Sequence, residues 1–273
     1  NLTLISIGGG ILQDITGFVA STLYRGINWI FAPTTLLAQA DSCIGSKTSL
    51  NYGGFKNLIG TFYPPSKIFI YPEFLKTQED VDFYSGLGEV VKLHVMDGMK
   101  KTKEMLDLLP DIRRKETSAL LNAVRSSLLI KKSYISDDEF DSGRRNLLNF
   151  GHCFGHALES TSQFEIPHGQ AVVLGILSAN IVAMNRGLLS AKTHAFITEN
   201  LLLPSLAIKP KKEHFDSDAV IEAMKKDKKR TGNELALVMM NDHFENLRVN
   251  DLKPSEVEQA IAESLRYYDE INL

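Results

Sequence analysis

Apolar positions along the chain follow two rhythms. From Leu2 to about Lys76, short β-like runs ("LTLISI", "INWIFA" and "KIFIYP") alternate with helix-like or glycine-rich segments, which predicts βαβ units around a parallel sheet. Beyond Pro72 and Glu73 the β pattern fades and amphipathic stretches take over, predicting helices over 80–96, 115–135, 152–162, 169–187, 191–202, 217–227 and 254–268. Pro204, Pro210 and Pro254 punctuate them, and "RTGNELALVMM" (230–240) reads as a turn followed by a short strand. No internal repeat is visible. The shift near 76–80 has no linker, so the expectation is a Rossmann-like α/β part over 1–78 and a mostly α-helical domain over 79–273, packed around a shared cleft.

The opening "NLTLISIGGG" runs without a methionine directly into a strand that ends on three glycines. A strand of this type needs parallel neighbours, so an N-terminal portion of the α/β part is expected to be missing, leaving that part truncated. Composition narrows the partner. With 30 basic residues against 33 acidic, a net charge of −3 and no basic block, the chain is not patterned for nucleic acid or an anionic membrane. No apolar run approaches the ~20 residues that span a bilayer, and two distant cysteines, Cys43 and Cys153, fit a reducing compartment such as the cytoplasm. A small-molecule partner is the expectation.

Several stretches carry candidate chemistry. In "ISIGGGILQDITGFVA", Gly8, Gly9 and Gly10 sit between a strand and a helix, where bare backbone N–H groups can receive a pyrophosphate. The spacing is not GxGxxG, and a tight strand-to-helix turn alone would use the same glycines. The following "APTTLLAQADSCIGSKTSLNYGGFKN" places Thr34, Thr35, Asp41, Lys47, Lys56 and Asn57 among glycines with little amphipathic order. Ordering such a segment is costly unless a ligand receives its hydrogen bonds; a solvated loop would have the same composition.

Glu89 and Lys92 in "YSGLGEVVKLHVM" lie three apart and share a helix face, as a simple surface ion pair also would. His152 and His156 in "NFGHCFGHALE" share another face, and His168 follows in "EIPHGQAV". Two histidines and a carboxylate from elsewhere would make a three-ligand metal site with an open position, the catalytic rather than the structural zinc pattern. The HxxxH spacing is equally met by two core histidines. Upstream, Arg145 and Asn149 are four apart, and Arg145 with Lys131 supplies cations suited to a carboxylate or phosphate.

Together these stretches resemble the 3-dehydroquinate synthase and wider sugar phosphate cyclase family. The matching segments are "GGGILQDITGFVASTLYRGI", "PTTLLAQADSCIGSKTSLN", "KNLIGTFYPP", "GLGEVVK", "DEFDSGRRNLLNFGHCFGHALE", "HGQAV" and "DKK", in family order from residue 8 to about 229. The resemblance implies metal ligands at Glu89, His152 and His168, with zinc or cobalt as the ion, which leaves His156 as an active-site group. It implies NAD+ contacts at Gly9, Gly10, Asp14, Thr34, Thr35, Asp41, Lys56 and Thr77. The substrate-facing set becomes Lys47, Asn57, Lys92, Lys131, Arg145, Asn149 and His156, with Lys229 rather than Lys228 from "DKK", and Arg25 reaching across a homodimer interface.

The implied reaction is an NAD- and metal-dependent phosphate elimination and ring closure on 3-deoxy-arabino-heptulosonate 7-phosphate, giving 3-dehydroquinate in the shikimate pathway of aromatic amino acid biosynthesis. Departures from the family pattern fall at Ser46 and Ser49 (glycines), Cys153 (threonine) and Gln170 (glutamate). None is a metal ligand, but they leave a sister cyclase for another sugar phosphate open. A metal-dependent NAD alcohol dehydrogenase and a non-catalytic remnant stay open as well.

Overall fold

The computed structural model describes residues 2–53, 55–226, 235–268 and 271. The chain divides into two compact units, one comprising the residues up to Gly86 with Asp111–Arg145, the other Leu87–Pro110 with the residues from Asn146 onward. These units do not follow the composition break near 76–80. The helical segment 111–145 belongs with the α/β part because its side chains are tied there: Thr117 Oγ1 donates to Glu73, Lys115 Nζ to the Gln78 carbonyl, and Lys131 Nζ to the Asp41 carbonyl.

In the first unit, β1 (Thr3–Gly8), β2 (Asn28–Pro33) and β5 (Lys67–Ile68) form a parallel sheet in the order β1-β2-β5, with Thr3 opposite Asn28 through to Gly8 opposite Pro33. The crossover is α1 (Gly10–Thr22). Trp29 and Phe31, on one face of β2, build the core with Ala20, Ala38 and Cys43. "KIFIYP" shortens to a two-residue strand. The polar segment after β2 is more ordered than its composition predicts, with α2 (Leu36–Ala40) and the antiparallel hairpin β3 (Lys47–Tyr52) and β4 (Phe55–Phe62). Thr48 and Thr61 hydrogen-bond across that hairpin at 2.8 Å, and this polar pair next to Leu50 opposite Ile59 breaks up the apolar alternation that would mark the strands.

Two helices cross the unit boundaries, α3 (Asp80–Met96) and α4 (Met99–Arg113). No helix is predicted at α4, because its opening "MKKTKE" has no apolar stripe and Pro110 reads as a stop. α5 (Thr117–Ile135) completes the first unit. The second contains α6 (His152–Thr161), α7 (His168–Asn185), α8 (Ala191–Ile197), α9 (Ser217–Lys226), β6 (Leu235–Met240), β7 (Asn246–Leu252) and α10 (Pro254–Tyr268). α7 is its central element: every residue from Gly169 to Ala183 is buried, including the polar Gln170, Ser178 and Asn180, so the helix is buried all round rather than on one face. Among the described residues no helix is long and apolar enough to cross a membrane.

Candidate active site

Two close backbone approaches position the second unit's polar centre. A Cβ on Gly88 would lie 2.1 Å from the Gly169 carbonyl oxygen, so only glycine lets α3 meet the first turn of α7 and bring Glu89 to His168. Gly151, at φ +77, starts α6, and a Cβ on Gly175 would lie 1.9 Å from its carbonyl oxygen, which locks His152 beside α7. Glu89 Oε1 thereby sits 3.3 Å from His152 Nε2 and 3.2 Å from His168 Nε2. Glu89 Oε2 pairs with Lys92 Nζ at 2.5 Å.

These residues fit a metal ion. Glu89 is 1% exposed, yet neither oxygen accepts a hydrogen bond of normal direction. His152 Nδ1 faces the Phe150 carbonyl at 3.1 Å and His168 Nδ1 faces Glu159 Oε2 at 3.3 Å. Both partners accept, so each Nδ1 carries a hydrogen; the neutral His152 turns its Nε2 lone pair toward Glu89, and His168 offers a second lone pair once its Nε2 gives up a proton, a donor set that a cation between the three would complete. Ligand atoms bound at ~2.0–2.1 Å in a tetrahedral shell stand about 3.3 Å apart, which matches the two Glu89 separations.

Charge follows the same geometry. Burial opposes ionisation of Glu89, but Lys92 and then His152 hold its carboxyl well below the usual range. Burial and the Lys92 charge push His152 down to about 4, so it is neutral at pH 7. Burial also disfavours a charged His168, but contacts with Glu159 and Glu89 outweigh it and raise this imidazole to about 9.

His156 joins the cluster, its ring 5.2 Å from that of His152 and 5.8 Å from that of His168. Lys92 is buried, paired with Glu89 and donating to the Leu148 carbonyl at 2.9 Å. Asn149 donates to the Asn146 carbonyl and, with His152, Cys153 and His156, lines a cavity of about 50 Å³ closed by Met224, Leu237 and Arg248. Gln170, one departure from the family pattern, is buried and bridges the Ser205 carbonyl and the Ala207 N–H.

In the first unit, the strand ends bring the glycine turn against Thr34 and Thr35: the Thr34 N–H donates to the Gly8 carbonyl, and a Cβ on Gly9 would stand 3.0 Å from Thr35 Cγ2. No side chain caps α1 at Gly9, and a Cβ on Gly10 would meet nothing within 4 Å, so its first N–H groups are open to an anion at the carboxyl end of the parallel strands. This fits a dinucleotide phosphate. Thr35 itself caps α2, and Asp14 accepts from the Ser49 N–H at 3.0 Å; burial raises its carboxyl, and the Ser49 hydrogen bonds oppose that rise. Thr77 is exposed, and its hydroxyl donates to the Phe74 carbonyl in the same turn.

The cations of this unit gather round residues 41–47. Lys131 Nζ contacts the Asp41 carbonyl at 2.8 Å and its carboxylate at 3.0 Å. Arg145 donates to the carbonyls of Gly45, at 2.6 Å, and Glu139. Lys47 pairs with Asp141 at 2.7 Å. Asn57, at φ +51 on β4, is exposed and its N–H donates to Asn51; Arg25 is exposed in the turn after α1. Lys229, its neighbour Lys228 and the side chain of Lys56 lie outside the described residues.

Residues 1–85 match the 3-dehydroquinate synthase N-terminal family and residues 86–230 the 3-dehydroquinate synthase C-terminal family. The chain belongs to the 3-dehydroquinate synthase family. It is 37% identical over 269 residues to the 3-dehydroquinate synthase of Clostridium tetani (strain Massachusetts / E88), covering 97% of this chain and 70% of that protein. A solved 2-epi-5-epi-valiolone synthase from Streptomyces hygroscopicus subsp. jinggangensis 5008, with NAD+ and Zn2+ bound, superposes with a TM-score of 0.83 at 26% identity, over 96% of this chain and 73% of that one. A 2-deoxy-scyllo-inosose synthase, complexed with carbaglucose-6-phosphate, NAD+ and Co2+, shares the fold with a TM-score of 0.78 at 23% identity, over 96% and 74%.

Three acids beside the candidate residues are absent from the sequence-based set, Glu159 in the second unit and Asp138 and Asp141 in the first. Glu159 was accessible, since it follows His152 and His156 at i+7 and i+3 on one helix face. Asp141, the partner of Lys47, and Asp138, which accepts N–H groups of Ser142, Gly143 and Arg145, stand in the acid-rich "DDEFD", where no spacing separates them from solvated neighbours.

Proposed function

We propose that this chain is a 3-dehydroquinate synthase, converting 3-deoxy-arabino-heptulosonate 7-phosphate to 3-dehydroquinate with loss of phosphate. It would use NAD+ and one divalent ion, zinc or cobalt, held by Glu89, His152 and His168. The convergence of two imidazole nitrogens on a buried carboxylate oxygen carries the reading. When bound, NAD+ takes up and returns a hydride while the ion polarises the alcohol oxygen being oxidised.

The chain's own residues supply the rest. His156, on the open side of the cluster, moves the proton of that alcohol, and Asn149 beside it holds the hydroxyl. Lys92 keeps Glu89 ionised. Lys47, Asn57 and Lys229 receive the departing phosphate. Lys131 and Arg145 take the substrate carboxylate, a role supported by their convergence on Gly45, where a Cβ would stand 3.5 Å from Arg145 Nη2 and 3.7 Å from Lys131 Nζ. Arg145 is held there by the neutral carbonyls of Gly45 and Glu139, and Lys131 by the Asp41 carbonyl and carboxylate; a charged partner for Arg145 favours a carboxylated substrate over an uncharged sugar end. Residues 1–78 serve chiefly the nucleotide, through Gly9, Gly10, Asp14, Thr34, Thr35, Asp41, Lys56 and Thr77, and residues 79–273 the metal and substrate.

The enzyme acts in the cytoplasm as a homodimer. Arg25 reaches the partner's site from a turn in which Tyr24 and Arg25 both have positive φ and lie exposed; light scattering tests the dimer. Product identification tests the reaction. With NAD+ and zinc, 3-deoxy-arabino-heptulosonate 7-phosphate should yield 3-dehydroquinate. Turnover only of a sugar phosphate without the carboxylate would reassign the chain to a sister cyclase.

A further inference from the structure

Glu159 is neither a proposed ligand nor a proposed substrate group, although it is 5% exposed, carries a carboxylate and faces the metal cluster. It lies on α6 one helical turn beyond His156 and two beyond His152, so all three project toward the start of α7. Its Oε2 stands 3.3 Å from His168 Nδ1, on the far side of the imidazole from Glu89. The two ligand histidines differ in what holds them. His152 is oriented by the backbone carbonyl of Phe150, two residues away in its own turn. His168 is the first residue of α7, follows Pro167, and its two ring nitrogens face carboxylates carried by other helices, Glu89 on α3 and Glu159 on α6.

We propose that Glu159 is the positioning residue of the metal site: it accepts the Nδ1 hydrogen of His168, sets the tautomer that leaves Nε2 free, and holds the ring against Glu89. A charged acceptor also makes the imidazole a stronger donor to a cation than a neutral one would. The proposal rests on the reading of Glu89, His152 and His168 as metal ligands.

The test is zinc affinity by chelator competition, with the cobalt absorption spectrum as a second readout, on wild type, Glu159→Gln and Glu159→Ala. Affinities are compared at about pH 7 and about pH 8.5, so that altered proton competition is separated from altered ligation. Glu159→Ala should bind zinc about 10- to 100-fold more weakly and shift the cobalt spectrum, and Glu159→Gln, which keeps an acceptor without the charge, should recover part of the loss. If Glu159→Ala does not fold, Glu159→Gln alone decides. Wild-type affinity and an unchanged cobalt spectrum in the folded variants would overturn the proposal. So would two zinc ions per wild-type chain and one in Glu159→Gln, since Glu159 would then be a ligand of a second ion with His156. Absence of zinc from wild type would instead remove the metal reading itself, and the proposal with it.

Discussion

Zinc binding should release a proton, and the structure says which one. In the metal-free chain His168 titrates at about 9 and His152 at about 4. A ligand nitrogen must be neutral to coordinate, so His168 has to lose its proton and His152 does not. At pH 7 only about one His168 in a hundred is neutral, which puts the apparent zinc affinity about a hundredfold below its limit. Because the folded value is raised, affinity climbs with pH, about tenfold per unit, and levels off above about 9. The clean window is about pH 6 to 7, where a zinc-bound water still keeps its own proton. Titration calorimetry of the metal-free protein in buffers of differing ionisation enthalpy counts the protons, and chelator competition gives the slope. About one proton per ion and a tenfold gain across that unit are expected. A pH-independent affinity with no proton released would refute the assignment of His168 as the charged ligand.

Other outcomes follow from the same geometry. His152→Ala should abolish zinc retention on gel filtration, whereas His156→Ala should retain zinc and lose turnover; equal metal loss in both would make His156 a ligand. Gly88→Ala places a methyl against the Gly169 carbonyl and should cost about 1–3 kcal/mol in urea unfolding, with zinc affinity falling as Glu89 leaves His168. Arg145→Ala should raise KM for the carboxylated substrate about 10- to 100-fold through lost charge-assisted hydrogen bonds, and unchanged kinetics would remove Arg145 from the carboxylate clamp. Acidification should leave the turn holding Arg145 intact until low pH, because backbone N–H groups, chiefly that of Ser142, hold Asp138 down to about 2. Its contribution is present above the unfolded value and is lost as pH falls through about 2, a sequence that hydrogen exchange at Ser142, Gly143 and Arg145 would follow.

Local chemistry was legible where it repeats at fixed spacing. "NFGHCFGHALE" exposes His152 and His156 by their i,i+4 interval, and "GLGEVVK" pairs Glu89 with Lys92 at i,i+3; both pairings survive in the structure. Spacing could not say that Gly88 exists to admit Gly169, because that approach joins residues 81 positions apart and leaves no periodic trace. The β3–β4 hairpin was hidden for a related reason: its Thr48–Thr61 pairing is polar on both sides. α4 hid behind lysines and Pro110. The composition break near 76–80 does not show that α5, helical in pattern, bonds to the α/β part through Thr117, Lys115 and Lys131, because side-chain partners of that kind are set by the fold.

The central claim is that NAD+ and the metal serve a cyclase, which regenerates its oxidant in every turnover, and one assay addresses it directly. With zinc and 3-deoxy-arabino-heptulosonate 7-phosphate present, phosphate release and NADH absorbance are followed together over many turnovers. Phosphate accumulating well beyond the amount of enzyme and of NAD+, with no net NADH, is the predicted result. NADH rising in step with substrate consumption, without phosphate, would make the chain a dehydrogenase and contradict the account.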